Sequence, residues 1–258
     1  MADFTLKQYE KYLRAIKEKF GETLTYREYF IHQKQATLPD RFCLLRHDID
    51  RRLGNAIAMA RLEAELGLKA SYYCRNRKHL FVPKVLREME SLGHEVGYHY
   101  ECLSDANGNF EQAYNDFAEN LKAFREHVKV DVIAMHGSAL KPYDNRDMWK
   151  SEEAANRLFN EFKLLGEVYL HIDYSDILYV TDTGRNWVSG RSNKRDKVET
   201  NVMRDFDTGE ELLSYLQNEP HNKMVFQIHP ERWSNSTSGL LLDAGRDGLI
   251  NLAKRLTR

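Results

Sequence analysis

Short apolar segments alternate with amphipathic helical segments along this chain, and this alternation constrains the fold more than any other feature. Seven short apolar runs, bounded by turn residues, are predicted as strands at 42–50, 69–75, 94–100, 130–137, 167–173, 177–182 and 223–229. Helices are predicted where apolar residues recur every three or four positions. They lie at 4–20, 53–66, 83–93, 109–128, 151–165 and 208–217, with a last helix ending near Arg258. Strands that alternate with helices predict a parallel sheet of about seven strands, because parallel neighbours need crossover connections.

Two architectures of the α/β class fit this order of elements. We favour a (β/α) barrel, TIM-like and incomplete or distorted, because right-handed βαβ units wind in this way and the 258 residues suit that fold. A doubly wound open sheet is the alternative, and periodicity does not separate the two. We expect a single domain over 1–258 with an N-terminal helical extension over about 1–40. The irregular interval 183–201 is predicted to be a loop or insertion.

The charge and the cysteine content exclude several classes of protein. The chain has 38 Lys plus Arg and 39 Asp plus Glu, without a one-sided basic run, so we expect no nucleic-acid partner. The first twenty residues are charged throughout and no window resembles a membrane span, so we expect a cytoplasmic protein. Cys43, Cys74 and Cys102 form no C-x-x-C pair, which argues against disulfides and against a cysteine zinc site. The oligomeric state is left open.

Carboxylate and imidazole side chains collect at the carboxyl ends of the predicted strands. Residues i and i+2 of a strand point to the same face. Four such pairs and one further histidine lie at strand exits: Asp48 with Asp50, His99 with Glu101, His171 with Asp173, Gln227 with His229, and His136. One pair alone is more often a solvated loop start, but several together predict a site, because active sites form at this edge of α/β folds. Imidazole nitrogens and carboxylate oxygens suit a divalent metal, and one of the carboxylates can remain unbound and act as a base. We interpret His47 and His94 as structural hydrogen-bonding residues.

Two of these segments resemble the first two motifs of the polysaccharide deacetylases with NodB homology, a superfamily of carbohydrate esterases. They are RHDID at 46–50 and GHEVGYHYE at 93–101. Three later motifs are matched more weakly, by MHGS at 135–138, HIDYSD at 171–176 and FQIHP at 226–230. The H-D-I-D form of the first motif is similar to a divergent branch that resembles proteins of bacterial surface-polysaccharide biosynthesis.

The resemblance implies a metal-dependent enzyme that removes an N- or O-acetyl group from a carbohydrate. It implies that Asp48 is the catalytic base and Asp50 a metal ligand, with the reverse assignment open. His99 matches the first metal histidine of the family. His229 matches the final histidine, which resembles a general acid, and Asp173 resembles the acid that orients or tunes its partners.

Two positions depart from the family's pattern. The second metal histidine would fall at Leu103. Three alternatives remain for the third ligand. We favour His136, because it lies at the next strand exit. Glu101 is nearly as good a candidate, and the site could also hold no metal. The expected metal is Zn²⁺, with Fe, Co, Mn or Ni as alternatives. The third-motif arginine is also absent, and Arg46 is a candidate for that orienting role, with a structural role equally open.

The expected location suggests the substrate class, and two other functions remain open. A cytoplasmic enzyme of this type meets precursors, so we expect a nucleotide-linked or lipid-linked sugar. Leu103 motivates an alternative, a catalytically degenerate deacetylase fold that binds a glycan or a partner protein. The D-x-D at 48–50 also resembles the Mg²⁺-dependent phosphatases of the haloacid dehalogenase type. Against that reading, Arg51 and Arg52 stand where a small residue and a threonine are expected.

Overall fold

Seven parallel strands form one sheet in the computed structural model, which describes residues 3–138, 140–188, 195–219 and 221–234. The strands are β1 Phe42–Ile49, β2 Ser71–Cys74, β3 Glu95–Tyr100, β4 Val132–Met135, β5 Gly166–Glu167, β6 Leu178–Thr181 and β7 Lys223–Ile228. Their order in the sheet is β5-β4-β3-β2-β1-β7-β6. The sheet curls into a half-barrel that is open between β5 and β6. The prediction of an incomplete TIM-like barrel is therefore confirmed.

Most of the helices lie where the apolar periodicity predicts them. The described helices are α1 Leu6–Phe20, α2 Tyr26–Gln35, α3 Leu53–Glu65, α4 Pro83–Ser91, α5 Cys102–Asp105, α6 Phe110–Arg125, α7 Glu152–Asn156 and α8 Gly209–Asn218. The helix predicted over 151–165 is α7 followed by a π-helical turn at Arg157–Glu161. The sequence reading did not anticipate α2, although Thr25 and Glu28 form a capping box at its start. The predicted helix that ends near Arg258 lies outside the described residues.

Two cores flank the sheet. The outer core lies between the sheet and most of the helices, whereas the inner core fills the interior of the half-barrel. Side chains of α2 enter the inner core, where Tyr26, Tyr29 and Phe30 pack with Leu44 and Tyr73. Leu44 marks the inward face of β1, so the alternation of side chains along the strand also turns residues 46 and 48 inward.

The strand predicted over 167–173 is wrong for most of its length. β5 pairs with β4 through Gly166 and Glu167 alone. The chain then leaves the sheet and runs from one sheet edge to the other, and Val168, Ile172 and Tyr174 are buried in the inner core on the way. The apolar run reflects this burial, because a short apolar segment does not by itself distinguish a strand from other buried backbone.

The interval 183–201 is irregular, as the sequence predicts. Its described parts, 183–188 and 195–201, contain no helix and no strand apart from an isolated bridge between Trp187 and Phe206. None of the helices that can be described is long and apolar enough to cross a membrane.

Candidate active site

The carboxyl edge of the sheet brings most of the predicted site residues together. Asp48 is on β1 and His99 on β3, and the remaining members directly follow strands: Asp50 after β1, Glu101 after β3, His136 after β4 and His229 after β7. Asp48, His99 and His229 are almost completely buried. The parallel register of the strands sets their carboxyl ends side by side, so polar groups from separate parts of the chain share one site.

Asp50 forms the centre of the histidine cluster. Its Oδ1 lies 3.4 Å from Nε2 of His99 and 3.5 Å from Nε2 of His136. This Oδ1 atom is buried and accepts no hydrogen bond from the described residues. Both nitrogens lie within ion-pair distance of this buried oxygen, so the Asp50 carboxylate is stabilised when a neighbouring ring carries a positive charge.

The other ring nitrogen of each histidine is held in place. Nδ1 of His99 lies 3.0 Å from the carbonyl oxygen of Ala134, to which it can donate. Nδ1 of His136 lies 2.9 Å from Oε2 of Glu101 and 3.1 Å from Oγ of Ser138. When the ring is neutral and Nδ1 is the donor, Nε2 is the nitrogen of each ring that faces Asp50 and is available to a cation. Metal-binding histidines in proteins are commonly oriented in this way.

The charges of this cluster depend strongly on one another. Burial alone would lower the pKa of His136, but the carboxylates of Asp50 and Glu101 raise it to about 9. Burial alone would raise the pKa of Asp50, yet His136 and His99 hold it well below its usual range. Positive charge between Asp50 and the two rings is therefore stabilised, whether it is carried by a proton or by a metal ion.

Glu101 has partners for both of its oxygens. Arg75 donates to Oε1 from Nε at 2.8 Å and to Oε2 from Nη2 at 2.7 Å, and Nη2 of Arg77 lies 2.7 Å from Oε1. Together with the contact to His136, these bonds suit a carboxylate that orients a neighbouring ring. Glu101 therefore contacts the ring of His136 and forms ion pairs with two arginines.

An arginine on the same strand forms a bidentate ion pair with Asp48. Arg46 donates from Nε to Oδ1 at 2.9 Å and from Nη2 to Oδ2 at 2.8 Å, and Gln227 donates to Oδ2 at 2.7 Å. Burial alone would raise the pKa of Asp48, but Arg46 and His99 lower it overall. Of the two roles that the sequence leaves open for Arg46, the structure gives it contact with the predicted base.

His229 is paired with an aspartate that the sequence reading did not single out. Its Nδ1 lies 2.6 Å from Oδ1 of Asp182, which also accepts from Nη1 of Arg232 at 2.9 Å. Nε1 of Trp233 donates to the other carboxylate oxygen at 2.8 Å. Burial and Arg232 oppose protonation of His229, but Asp182 raises its pKa overall. Because Nδ1 is held by Asp182, Nε2 is the ring nitrogen left for a substrate.

The structure separates Asp173 from this site, which corrects its proposed orienting role. Asp173 is exposed and its Oδ1 accepts from the backbone N–H of Ser175 at 2.9 Å. It precedes β6, so it lies toward the amino end of that strand, and Nδ1 of its partner His171 accepts from the N–H of Glu167. His171 and Asp173 do not lie at the end of a strand, because β5 already ends at Glu167. Asp182, at the true exit of β6, could be found by the same reasoning applied to 177–182.

Comparison with known proteins gives similarity at the level of the fold. No family model matches the sequence, and no curated protein does. A family 4 carbohydrate esterase from Streptomyces lividans in complex with acetate has a TM-score of 0.46 and 12% identity, covering 83% of this chain and 89% of that chain. A family 4 esterase from Streptococcus mutans has a TM-score of 0.46 and 14% identity, covering 92% and 90%.

A third similar structure is described as a pseudoenzyme. This family 4 protein from Bacillus anthracis has a TM-score of 0.45 and 11% identity, and the match covers 83% of this chain and 66% of that chain. The similarity concerns the course of the chain and assigns no activity to it.

Proposed function

We propose that this protein is a metal-dependent hydrolase that removes an N- or O-acyl group, such as acetyl, from a carbohydrate or carbohydrate precursor in polysaccharide biosynthesis. One observation carries the proposal. A buried oxygen of Asp50 without a hydrogen bond lies between Nε2 of His99 and Nε2 of His136, next to an Asp48 carboxylate that Arg46 holds ionised.

The donors around Asp50 fit a divalent cation. Imidazole nitrogen and carboxylate oxygen are ligands of Zn²⁺ and of Fe, Co, Mn and Ni, and the 3.4 Å and 3.5 Å separations resemble those between two ligands of one ion. No group of three or more His, Cys, Asp and Glu side chains within the described ranges is placed so that it could hold a metal ion as it stands. We therefore propose that small side-chain rotations accompany binding to Asp50, His99 and His136.

A divalent cation, when bound, supplies Lewis-acid chemistry that activates water and polarises a carbonyl group. Asp48 is the proposed base, because its Oδ2 lies 3.7 Å from Nε2 of His99 and so borders the ligand cluster. Arg46 and Gln227 hold the carboxylate in one orientation. An ionised and immobile carboxylate accepts the proton of the attacking water without rearranging.

His229 is the proposed general acid. Asp182 fixes its ring through Nδ1 and raises its pKa, so a larger share of the side chain is protonated near neutral pH. The proton at Nε2 then passes to the amine or alkoxide that leaves the acyl carbon. Base and acid approach the site from β1 and β7, which are neighbours in the sheet.

The two alternative functions fit these contacts less well. A phosphatase of the D-x-D type carries a small residue and a threonine after the second Asp, whereas this chain has Arg51 and Arg52 there, and Nη2 of Arg51 lies 3.6 Å from Oε1 of Glu231. A binding module without catalysis would not need an oriented base, an oriented acid and a cation site together. The acyl hydrolase accounts for all three.

The test is acetate release from a panel of N- and O-acetylated sugars that includes nucleotide-linked and lipid-linked forms, measured with Zn²⁺, Co²⁺ or Mn²⁺. We expect Asp48→Asn to lower turnover by about 10²- to 10⁴-fold, the usual contribution of a general base. The matched control is Asp173→Asn, an exposed acid outside the site, which should behave like wild type. Wild-type turnover in Asp48→Asn, or no release from any member of the panel, would contradict the proposal.

A further inference from the structure

A chain of hydrogen bonds crosses the open side of the half-barrel and ends at the arginine that holds the proposed base. Tyr169 follows β5 and Thr183 follows β6, the two strands between which the sheet is open. Asp196 joins them, because its Oδ1 accepts from the Tyr169 hydroxyl at 3.3 Å and its Oδ2 from the Thr183 hydroxyl at 3.3 Å. The Tyr169 hydroxyl in turn accepts from Nη2 of Arg46 on β1 at 2.9 Å. Residues beyond both edges of the sheet are thus connected to its central strand.

Tyr169 holds the Arg46 side chain from across the interior of the half-barrel. The bidentate ion pair fixes Arg46 and Asp48 relative to each other, but both side chains belong to β1. Nη2 of Arg46 contacts Oδ2 of Asp48 and the Tyr169 hydroxyl, and Cζ of Arg46 lies 4.4 Å from the centroid of the Tyr169 ring. A cation at this distance from an aromatic ring is attracted to it. Tyr169 therefore fixes the guanidinium, and through it the carboxylate, relative to the rest of the barrel.

Asp196 determines the direction in which the Tyr169 hydroxyl points. A phenolic hydroxyl has a single proton to donate, while its oxygen can accept. A proton directed at Arg46 would oppose the N–H group of the guanidinium. Because the Asp196 carboxylate accepts this proton, the lone pairs of the Tyr169 oxygen are left for Arg46.

The residue before Asp196 anchors this part of the chain. Nη1 of Arg195 donates to the carbonyl oxygen of Ser138 at 3.0 Å, and Nη2 donates to that of Lys141 at 2.8 Å. Both carbonyls lie after β4. Asp196 is therefore supported by contacts that follow β4, β5 and β6, and it can act as a fixed acceptor for Tyr169.

We propose that Tyr169, oriented by Asp196, is a positioning residue for the proposed base Asp48 and acts on it through Arg46. This inference rests on the proposed function, in which Asp48 takes a proton from the attacking water. The hydroxyl of Tyr169 is bonded to Arg46 and Asp196, so its loss misplaces the base and leaves the groups around the substrate in place. The expected effect is on turnover, with little change in substrate binding.

The kinetic test compares two tyrosines of the barrel interior. Tyr169→Phe removes the hydroxyl and keeps the ring, and the control Tyr174→Phe removes a hydroxyl that donates to the carbonyl of Val168 at 2.7 Å. We expect Tyr169→Phe to lower kcat by about 10- to 100-fold at unchanged KM, the range that a misplaced catalytic group causes. Tyr174→Phe should keep the wild-type kcat. In Asp48→Asn, the further change Tyr169→Phe should cause no additional loss, because the base through which it acts is already absent.

A second measurement does not depend on turnover. Nitrogen-15 NMR reports how fast the Arg46 guanidinium rotates about its Nε–Cζ bond, and Arg46→Lys identifies the signal. We expect rotation to be about tenfold faster in Tyr169→Phe, as the loss of a hydrogen bond to a charged group predicts. Rotation should also be faster in Asp196→Ala and unchanged in Tyr174→Phe.

The outcomes separate this inference from the proposed function. Wild-type rotation or wild-type kcat in Tyr169→Phe, or a loss that adds to that of Asp48→Asn, would each overturn the role of Tyr169. Wild-type rotation in Asp196→Ala would overturn the role of Asp196. If wild type releases acetate from no substrate, the proposed function fails, and the rotation rates still decide whether Tyr169 holds Arg46. If Tyr169→Phe does not fold, Asp196→Ala, at a partly exposed position, is put through the same kinetic tests with the same expected directions.

Discussion

On the outer face of β1, opposite the candidate site, a buried glutamate is surrounded by polar donors. His47 Nε2 lies 2.6 Å from Oε1 of Glu63, and the hydroxyls of Tyr9 and Tyr72 donate to Glu63 at 2.5 Å and 2.6 Å. His94 bonds the N–H of Ala70 and the carbonyl of Ala60 nearby. The interpretation of His47 and His94 as structural hydrogen-bonding residues is confirmed, since strand parity turns His47 away from Asp48.

Replacing Glu63 with Gln should destabilise the protein. Gln offers one acceptor oxygen where the carboxylate offers two, so a buried donor among Tyr9, Tyr72 and His47 loses its partner, at a cost of about 1 to 3 kcal/mol. The free energy of unfolding is measured by urea titration at pH 7. Glu65→Gln, an exposed acid on the same helix, is the control and should unfold like wild type. Equal stability of the Glu63 variant and wild type would show that the buried pair contributes no net stability.

The same variant should also change how stability depends on pH. Burial would raise the pKa of Glu63, but His47 and the other donors lower it overall. The unfolded chain, whose glutamate titrates near pH 4.3, therefore binds this proton more readily than the folded chain. Stability from Glu63 is complete above that pH and is lost as the pH falls further. Between about pH 5 and pH 3, the free energy of unfolding should fall less steeply for Glu63→Gln than for wild type.

At the residue scale, the alternation of side chains along the predicted strands was sufficient to predict one common site for Asp48, Asp50, His99, His136 and His229. Alternation in a strand fixes the face to which a side chain points, and the carboxyl ends of parallel strands meet at one edge. The hydrogen-bond partners of these side chains could not be predicted from the sequence, because hydrogen bonds between residues of different strands depend on tertiary distances. The sequence leaves Glu101 as an alternative to His136 for the third ligand, and its hydrogen bonds to Arg75 are visible only in the structure.

At the scale of elements, the errors of the sequence analysis fall where apolar residues are buried outside regular structure. The segment after β5 is apolar because it fills the inner core, and the periodicity of a short run does not report that. The missed helix α2 has only a narrow buried face, made by Tyr26, Tyr29 and Phe30. The strands β1, β3 and β7 and the helices α1, α3 and α6 were predictable because each carries a long and consistent pattern.

The close approach of β2, β3 and β4 inside the half-barrel depends on Gly97. A Cβ at this position would lie 2.8 Å from the carbonyl oxygen of Val132 on β4, and closer still to the ring of Tyr73 on β2. Neither neighbour can retreat freely, because one is backbone and the other is a fully buried side chain. An added methyl group must therefore push apart the strands that hold the histidine cluster.

Gly97→Ala should reduce stability by about 1 to 3 kcal/mol, the usual cost of overpacking. It should also weaken cation binding, because His99 follows two residues later on the same strand. Urea unfolding and chelator competition measure the two effects. Gly54→Ala is the control, since the position in α3 is open and has no backbone conformation that requires glycine. Wild-type behaviour of Gly97→Ala in both measurements would be inconsistent with the packing described here.

At the scale of the whole molecule, the two ends of the described chain are joined through α1. Thr5 is bridged to Ser234, and the hydroxyl of Tyr12 donates to the carbonyl of Gly209 at the start of α8 at 3.0 Å. Tyr9 reaches Glu63 on α3, so α1 contacts elements from the beginning and the end of the barrel. Long-range contacts of this kind make unfolding cooperative, and a change at the site is expected to affect the stability of the entire fold.

The proposed cation would join β1, β3 and β4 through Asp50, His99 and His136, so its removal should lower the stability of the molecule as a whole. At a free metal concentration of 100 times Kd, binding to the folded state alone adds about 2.7 kcal/mol. For a chain of this size, that corresponds to a rise in Tm of roughly 5 to 10 °C. Scanning calorimetry of chelator-treated and metal-supplemented protein measures the shift. Asp50→Asn should show none, because it lacks the central ligand, and identical Tm values for the two wild-type samples would argue against a cation shared by the three strands.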